Sequence, residues 1–280
     1  SGARFDRPPR RDEVRYHITL LAVTQEGYSN LIKLASAAFL EGFYYKPRMD
    51  HELLARYAAG LVATTGCLGG HVPQLLAPDA SGEEGNVGGQ RDYAAAREAA
   101  AMYQDIFGKD SFFVEVMDHG VEAQRRVLPD LLQISRDIGA PLLATNDCHY
   151  TRESEAEAHD ALLSIQTGSV MSDKTRFSFQ GSGYYMKTAR QMRALFPEDG
   201  FPGACDNTLL VAERAKVRME FGNILLPHFP VPAGETESSY LRRLTFEGAR
   251  ARYGDPIPAA VAERLDYELS VIETMGFPAY

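Results

Sequence analysis

Two residues that can bind a metal follow an apolar segment near the middle of the sequence. Residues 141–145 read Pro-Leu-Leu-Ala-Thr, and Asp147 and His149 come shortly after them. If the chain stays extended, residues i and i+2 point to the same face, so a carboxylate and an imidazole converge. Oxygen and nitrogen ligands of this kind suit zinc, manganese or iron. The alternative, an Asp–His hydrogen bond that only fixes a turn, fits the spacing equally well.

Cys67 is a second candidate ligand, and it lies in a glycine-rich turn. Three glycines surround it after the short apolar run 61–64, so the backbone can approach a bound group closely. A thiolate at this position favours a softer metal. From the residues alone, however, a small buried hydrophobe in a tight turn is the simpler interpretation.

Other candidates are weaker on local context. His17 lies in the apolar run 16–23, where an isolated histidine is more often a core residue. Cys148 alternates with its two neighbours, so we expect it to face away from them and to pack. His119 follows the apolar run 112–116, and a functional contact there is the less favoured of two interpretations.

Alternating strands and helices must position these residues. The pattern predicts strands at 16–23, 61–64, 112–116 and 141–145, with long helices at 27–40, 91–107, 121–138 and 153–165. A short helix that Asp50 caps is expected to run through Tyr57. Strands of four to six residues between long helices are typical of repeated βα units, which close a parallel sheet or a barrel. Functional groups of such folds gather at the carboxyl ends of the strands, where Cys67, Asp147 and His149 are expected.

Composition and charge narrow the class of protein. Hydrophobic residues make up 45% of the 280 residues, which is enough for a substantial core. No run approaches the roughly 20 apolar residues of a membrane span, and the first residues have no hydrophobic signal core. Three cysteines cannot all pair with one another, so we expect a reduced, cytoplasmic protein.

The net charge of −9 argues against a surface that coats nucleic acid generally. One local exception is the first segment, which is rich in arginine. These arginines could meet phosphates, although a solvated basic strand end is the simpler interpretation. The residues concerned are Arg4, Arg7, Arg10, Arg11 and Arg15.

The amino-acid composition of the sequence changes after residue 226. Residues 227–235 form a proline-rich extended linker, and two helices are predicted after it, at 237–253 and 258–275. We therefore divide the chain into one domain at 1–226 and a second region at 227–280.

Seven motifs, in this order and spacing, resemble the bacterial replicative DNA polymerase III alpha subunit family. The resemblance covers essentially the whole chain. They are Y-H-I-T-L-L-A-V (16–23), E-G-Y-S-N-L-I-K-L-A-S (26–36), F-Y-Y-K-P-R-M-D (43–50), A-T-T-G-C-L-G-G (63–70), F-V-E-V-M-D-H-G (113–120), A-T-N-D-C-H-Y (144–150) and G-Y-Y-M-K (183–187).

The resemblance implies that residues 1–226 are part of a PHP (polymerase and histidinol phosphatase) domain. The implied fold is α/β, a distorted (β/α)7 barrel that is incomplete at its N-terminus. It implies that His17, Cys67, Asp147 and His149 are ligands of zinc, manganese or iron. Such a centre would act as a 3′–5′ exonuclease by metal-assisted phosphodiester hydrolysis. The alternative is a catalytically inactive PHP module that braces the polymerase and binds partner subunits.

The resemblance also sets limits on this stretch of chain. The family's remaining ligands, a His-x-His pair, an Asp, a further His and a Glu, would precede residue 1. Its polymerase carboxylates and their magnesium ions would follow residue 280, beyond a region that leads into the polymerase core. We therefore expect the stretch alone to be inactive. Expected partners of the whole protein are a DNA primer-template, the sliding clamp and a proofreading or clamp-loader subunit, with no membrane.

Overall fold

The computed structural model describes residues 2–9, 14–78, 90–222 and 229–280. The contacts divide the chain into two compact units, Ser1–Arg218 and Met219–Tyr280. The boundary predicted between residues 226 and 227 falls within 223–228, outside the described residues.

The first unit contains one four-stranded sheet with the strand order β1-β2-β3-β4. β1 runs antiparallel to β2, with Thr19 opposite Thr64, whereas β2, β3 and β4 are parallel. The amino end of β1 and the carboxyl ends of the other three strands therefore lie at one edge of the sheet. The strands are β1 (Thr19–Ala22), β2 (Leu61–Thr64), β3 (Phe112–Val116) and β4 (Leu142–Ala144).

Eight α-helices of the first unit lie between and after these strands, in the described part of the chain. A 3-10 turn, Glu153–Glu155, precedes the sixth. The helices are α1 (Gln25–Leu40), α2 (His51–Arg56), α3 (His71–Leu76), α4 (Tyr93–Phe107), α5 (Glu122–Ile138), α6 (Ala156–Thr167), α7 (Ala189–Leu195) and α8 (Asp206–Arg214).

Strands β2, β3 and β4 are buried on both faces, which explains why they read as continuous apolar runs. Alternate residues such as Phe112 and Val114 belong to the main core, together with Ile134 of α5. Phe113, between them, faces a second cluster that includes Val211 of α8. β2, β3 and β4 are buried at every position. The α/β architecture predicted from the sequence is therefore confirmed, as a four-stranded sheet with helices.

The prediction for β1 was wrong in two respects. The strand covers Thr19–Ala22 and not 16–23, and its residues alternate between exposed and half-buried. Leu21 is 39% exposed. β1 is an outer strand of the described sheet, with β2 as its strand partner there. Its residues are covered less than those of β4, the outer strand on the other side, whose Leu143 packs in the same cluster as Val211 of α8.

The second unit contains two helices in its described residues, α9 (Glu237–Tyr253) and α10 (Ala259–Thr274). Thr236 caps α9, because its side chain accepts a hydrogen bond from the backbone N–H of Ser239. Arg242 of α9 pairs with Asp266 of α10, with N and O atoms 2.6 Å apart. No helix in the described part of either unit is long and apolar enough to cross a membrane.

Candidate metal centre

His17 and Cys67 meet at the shared edge of the sheet. His17 precedes β1 and Cys67 follows β2, and because these strands are antiparallel the two residues arrive side by side. The His17 Nδ1 and Cys67 Sγ atoms are 3.5 Å apart. The backbone N–H of His17 donates to the Gly69 carbonyl at 2.8 Å. At Gly70 a side chain is excluded, since a Cβ atom would lie 2.1 Å from the Thr65 carbonyl oxygen.

Asp147 and His149 also converge, but not in the way that the spacing predicts. β4 ends at Ala144, and Asp147 has a φ of 38°, which is a left-handed conformation and not an extended one. His149 folds back over this turn. Its Nδ1 lies 2.7 Å from the Asp147 carbonyl oxygen and 3.8 Å from the carboxylate Oδ1.

The position of Cys148 also differs from the one predicted for an extended strand. Because the backbone turns at Asp147, Cys148 is not placed on a buried opposite face. It is exposed, with its Sγ 3.7 Å from the Tyr185 carbonyl oxygen. The prediction that Cys148 packs in the interior was wrong.

Tyr184 packs beside the Asp147–His149 pair. Its ring meets the His149 ring edge-on, with centroids 5.7 Å apart. Burial raises the pKa of Tyr184 to about 12, and the charges of Asp147 and Cys67 act in the same direction. Within the residues that the structure describes, no three His, Cys, Asp or Glu side chains form a group that could hold a metal ion.

A buried network centred on His119 supports the Asp147 turn. His119 Nε2 lies 2.9 Å from the Asn146 carbonyl oxygen and therefore carries the proton, while Gln124 donates to Nδ1 at 2.7 Å. Burial lowers the pKa of His119, and the bond to Asn146 opposes this effect. His119 is only 3% exposed and stacks on Tyr184 at 4.1 Å. Local sequence patterns do not indicate this role, because Asn146 is 27 residues away along the chain.

One arginine of the N-terminal segment, Arg4, is less solvated than expected, whereas Arg7 is exposed. Arg4 is 7% exposed, and its guanidinium pairs with Glu41 at 2.6 Å and with Asp50 at 3.1 Å. Asp50 also caps α2 by accepting from the Leu53 N–H. Arg4 is therefore a structural residue between the segment and α2. Arg10 and Arg11 lie outside the described residues.

Two family models match the chain. A model of the PHP domain matches residues 2–119. A model described as the bacterial DNA polymerase III alpha NTPase domain matches residues 239–280.

Curated relatives agree over almost the whole chain. The DNA polymerase III subunit alpha of Mycobacterium leprae (strain TN) is 43% identical over 267 residues, which is 94% of this chain and 22% of the relative. The chain belongs to the DNA polymerase III alpha subunit family. The Treponema pallidum (strain Nichols) subunit is 38% identical over 280 residues, covering 99% of the chain and 23% of the relative. The Thermus aquaticus subunit is 36% identical over 337 residues, covering 99% and 27%.

This alpha-subunit stretch spans about a quarter of the relatives that it matches. Two candidate ligands, His17 and Cys67, lie inside the residues matched by the PHP model, and Asp147 and His149 lie beyond them. All four side chains nevertheless meet the same edge of one sheet, so the structural unit is longer than the matched segment.

The donor chemistry of this alpha-subunit site fits a divalent transition metal. Two imidazoles, one thiolate and one carboxylate supply nitrogen, sulfur and oxygen ligands, a set that suits zinc. Each pair offers two donors at contact distance, which is fewer than a structural or catalytic zinc site uses. The pairs therefore fit as parts of a centre and not as a complete cage.

A second group of histidines lies on α2 and α3 of this stretch. The ring of His71 stacks on Tyr16, with centroids 4.3 Å apart, and lies 6.3 Å from the ring of His51. Tyr103 of α4 approaches His71 Nδ1 with its hydroxyl at 3.4 Å. Burial lowers the pKa of His71 to about 4. These rings pack helices together and keep His71 neutral.

Proposed function

We propose that this stretch of the alpha subunit carries a metal-dependent phosphodiesterase site that removes nucleotides from 3′ ends. The observation that supports it is the arrival of two donor pairs, His17 with Cys67 and Asp147 with His149, at one edge of the sheet. These four residues would hold zinc, manganese or iron. The described sheet would then be part of a distorted (β/α)7 barrel.

The bound metal would supply an activated water and a positive charge beside the scissile phosphate. The contribution of this chain is to place the ligands. The antiparallel β1 brings His17 against Cys67, and the turn at Asp147 directs His149 back over the carboxylate. His119 holds that turn through the Asn146 carbonyl.

The whole protein is proposed to be the polymerizing subunit of a bacterial replicase in the cytoplasm. Its substrates and partners would be a DNA primer-template, the sliding clamp and a proofreading or clamp-loader subunit. Magnesium would serve a polymerase site outside this stretch. With only part of the ligand set within residues 1–280, this stretch is not proposed to act alone.

A second candidate function is a catalytically inactive module that braces the polymerase and binds partner subunits. It is favoured by the lack of any three-donor group within the described ranges. The net charge of −9 also agrees with a module that does not itself hold DNA along an extended surface.

Substitution at Asp147 in the whole protein separates the two functions. We choose Asp147→Asn, because asparagine tolerates the left-handed backbone at this position and alanine does not. Under the first function, Asp147→Asn lowers the metal content and the removal of 3′ nucleotides from a single-stranded oligonucleotide, while polymerase activity is retained. Metal content is measured by mass spectrometry of the purified protein.

Cys67→Ser is the second variant, and Cys205→Ser is its matched control, since Cys205 is also half-buried but lies at the start of α8. We expect Cys67→Ser to lose metal and Cys205→Ser to keep it. Equal metal content and equal 3′-end removal in the wild type, Asp147→Asn and Cys67→Ser would instead support the bracing module.

A further inference from the structure

Glu115 is a buried acid in the middle strand of the three parallel ones. It is 4% exposed and is the one buried carboxylate among the residues that the structure describes. Its two oxygens have different partners. The Thr145 hydroxyl donates to Oε1 at 2.5 Å, and the Thr64 hydroxyl donates to Oε2.

The two threonines belong to the segments that carry the candidate ligands. Thr64 is the last residue of β2, three positions before Cys67, and its oxygen also accepts from the Gly66 N–H at 3.2 Å. Thr145 follows β4 and precedes Asp147 by two positions. We call Thr64, Glu115 and Thr145 the Glu115 clasp, because one side chain connects both segments.

A buried carboxyl without a cation is costly, so its presence needs a reason. No lysine or arginine pairs with Glu115 in the described part of the chain. The hydrogen bonds to its carboxylate come from the Thr64 and Thr145 hydroxyl groups. Its own backbone N–H donates to Thr65 Oγ1 at 2.9 Å. An apolar side chain would fill the same space more cheaply but could not join β2 to β4.

We propose that Glu115 is a positioning residue that fixes the distance between the Cys67 turn and the Asp147 turn, so that both donor pairs supply ligands to one divalent metal centre. The metal part of this inference rests on the proposed function. The mechanical part, that Glu115 holds the two turns together, does not.

Glu115→Met and Glu115→Gln distinguish this geometric role from other effects. Methionine has a similar length but no strong acceptor, so the clasp is lost. Glutamine keeps one acceptor and gains a donor, so it can still bond both threonines by rotation of a hydroxyl. If Glu115 only filled space in the core, methionine and glutamine would replace it equally well.

Hydrogen–deuterium exchange on the metal-free whole protein tests the mechanical part. Glu115→Met should raise exchange about tenfold in both turns, at residues 66–70 and 145–149, whereas Glu115→Gln should resemble the wild type. Thr64→Val and Thr145→Val each remove one of the two hydroxyl hydrogen bonds to Glu115. Because either loss alone opens the clasp, exchange in the double variant should be no faster than in either single variant. Thr208→Val, which loses a half-buried bond to the Cys205 carbonyl, is the control and should leave both turns unchanged.

Zinc affinity, measured by competition with a chelator, tests the metal part. Loss of the clasp should weaken zinc binding by about 10–100-fold, as is typical when a residue that orients a ligand is removed, with glutamine restoring it. The inference is overturned if only one turn responds to Glu115→Met, if the two threonine effects add, or if glutamine is as damaging as methionine. Wild-type protein that binds none of zinc, manganese and iron would refute the proposed function, while the exchange data would still decide the clasp.

Discussion

Acid should destabilise the region around His71 by an amount that the structure allows us to work out. The unfolded chain binds a proton at His71 below its ordinary pKa of 6.5, whereas the folded chain does so only near pH 4. Between these values the unfolded state binds more protons, so stability falls as the pH falls. The full difference corresponds to about 3.4 kcal/mol, and about 2 kcal/mol of it is lost on going from pH 8 to pH 5.

His71→Gln removes the titrating ring but keeps a polar side chain at the start of α3. Other groups titrate in the same range, so the informative quantity is the difference between the two proteins. We expect that the protection of α3 and α4 amides, corrected for intrinsic exchange, falls about 30-fold more in the wild type than in the variant between pH 8 and pH 5. At pH 8 the imidazole is neutral in both states, and any difference there reports packing alone. An equal fall in both proteins would refute the reasoning.

Three further changes have defined outcomes. Phe112→Ala leaves a cavity at a fully buried position in β3 and should lower the free energy of unfolding in urea by about 3–5 kcal/mol. A loss below about 1 kcal/mol would mean that the surrounding core fills the cavity. Gly183→Ala would place a Cβ atom 2.5 Å from the His119 carbonyl oxygen, so exchange at residues 145–149 should rise; unchanged exchange would mean that the backbone yields elsewhere. Thr236→Ala removes the cap of α9 and should lower the stability of that helix by about 0.5–2 kcal/mol, measured by exchange of its first-turn amides against the unaffected α10.

The inner strands and long helices could be predicted from the sequence because their signal is local. β2 and β3 read as apolar runs, and they lie at the predicted residues since both faces are covered. The three helices α3, α7 and α8 were not predicted, because six to nine residues give too few turns for an apolar period to show. The equally short α2 was predicted from its Asp50 cap. The exposure of β1 depends on how much of the rest of the unit packs over it, which no property of its own residues reveals.

The candidate site shows the same division. That Asp147 and His149 converge was expected, but the reason was wrong, since a left-handed turn and not an extended strand brings them together. The contact of His17 with Cys67 depends on the antiparallel direction of β1, which local patterns do not encode. The network of His119 joins segments far apart in sequence and was missed for that reason. The ligand roles of the four residues remain predictions.

The antiparallel β1 also has a consequence for the order of folding. Asp147 and His149 are neighbours along the chain, so they can approach each other within a single turn. His17 and Cys67 are 50 residues apart, and His17 is 132 residues from His149, so their meeting requires closure of long loops. A metal that needs both pairs would be captured only after all four strands have found their register. Metal uptake during refolding would then report the completion of the sheet and not its beginning.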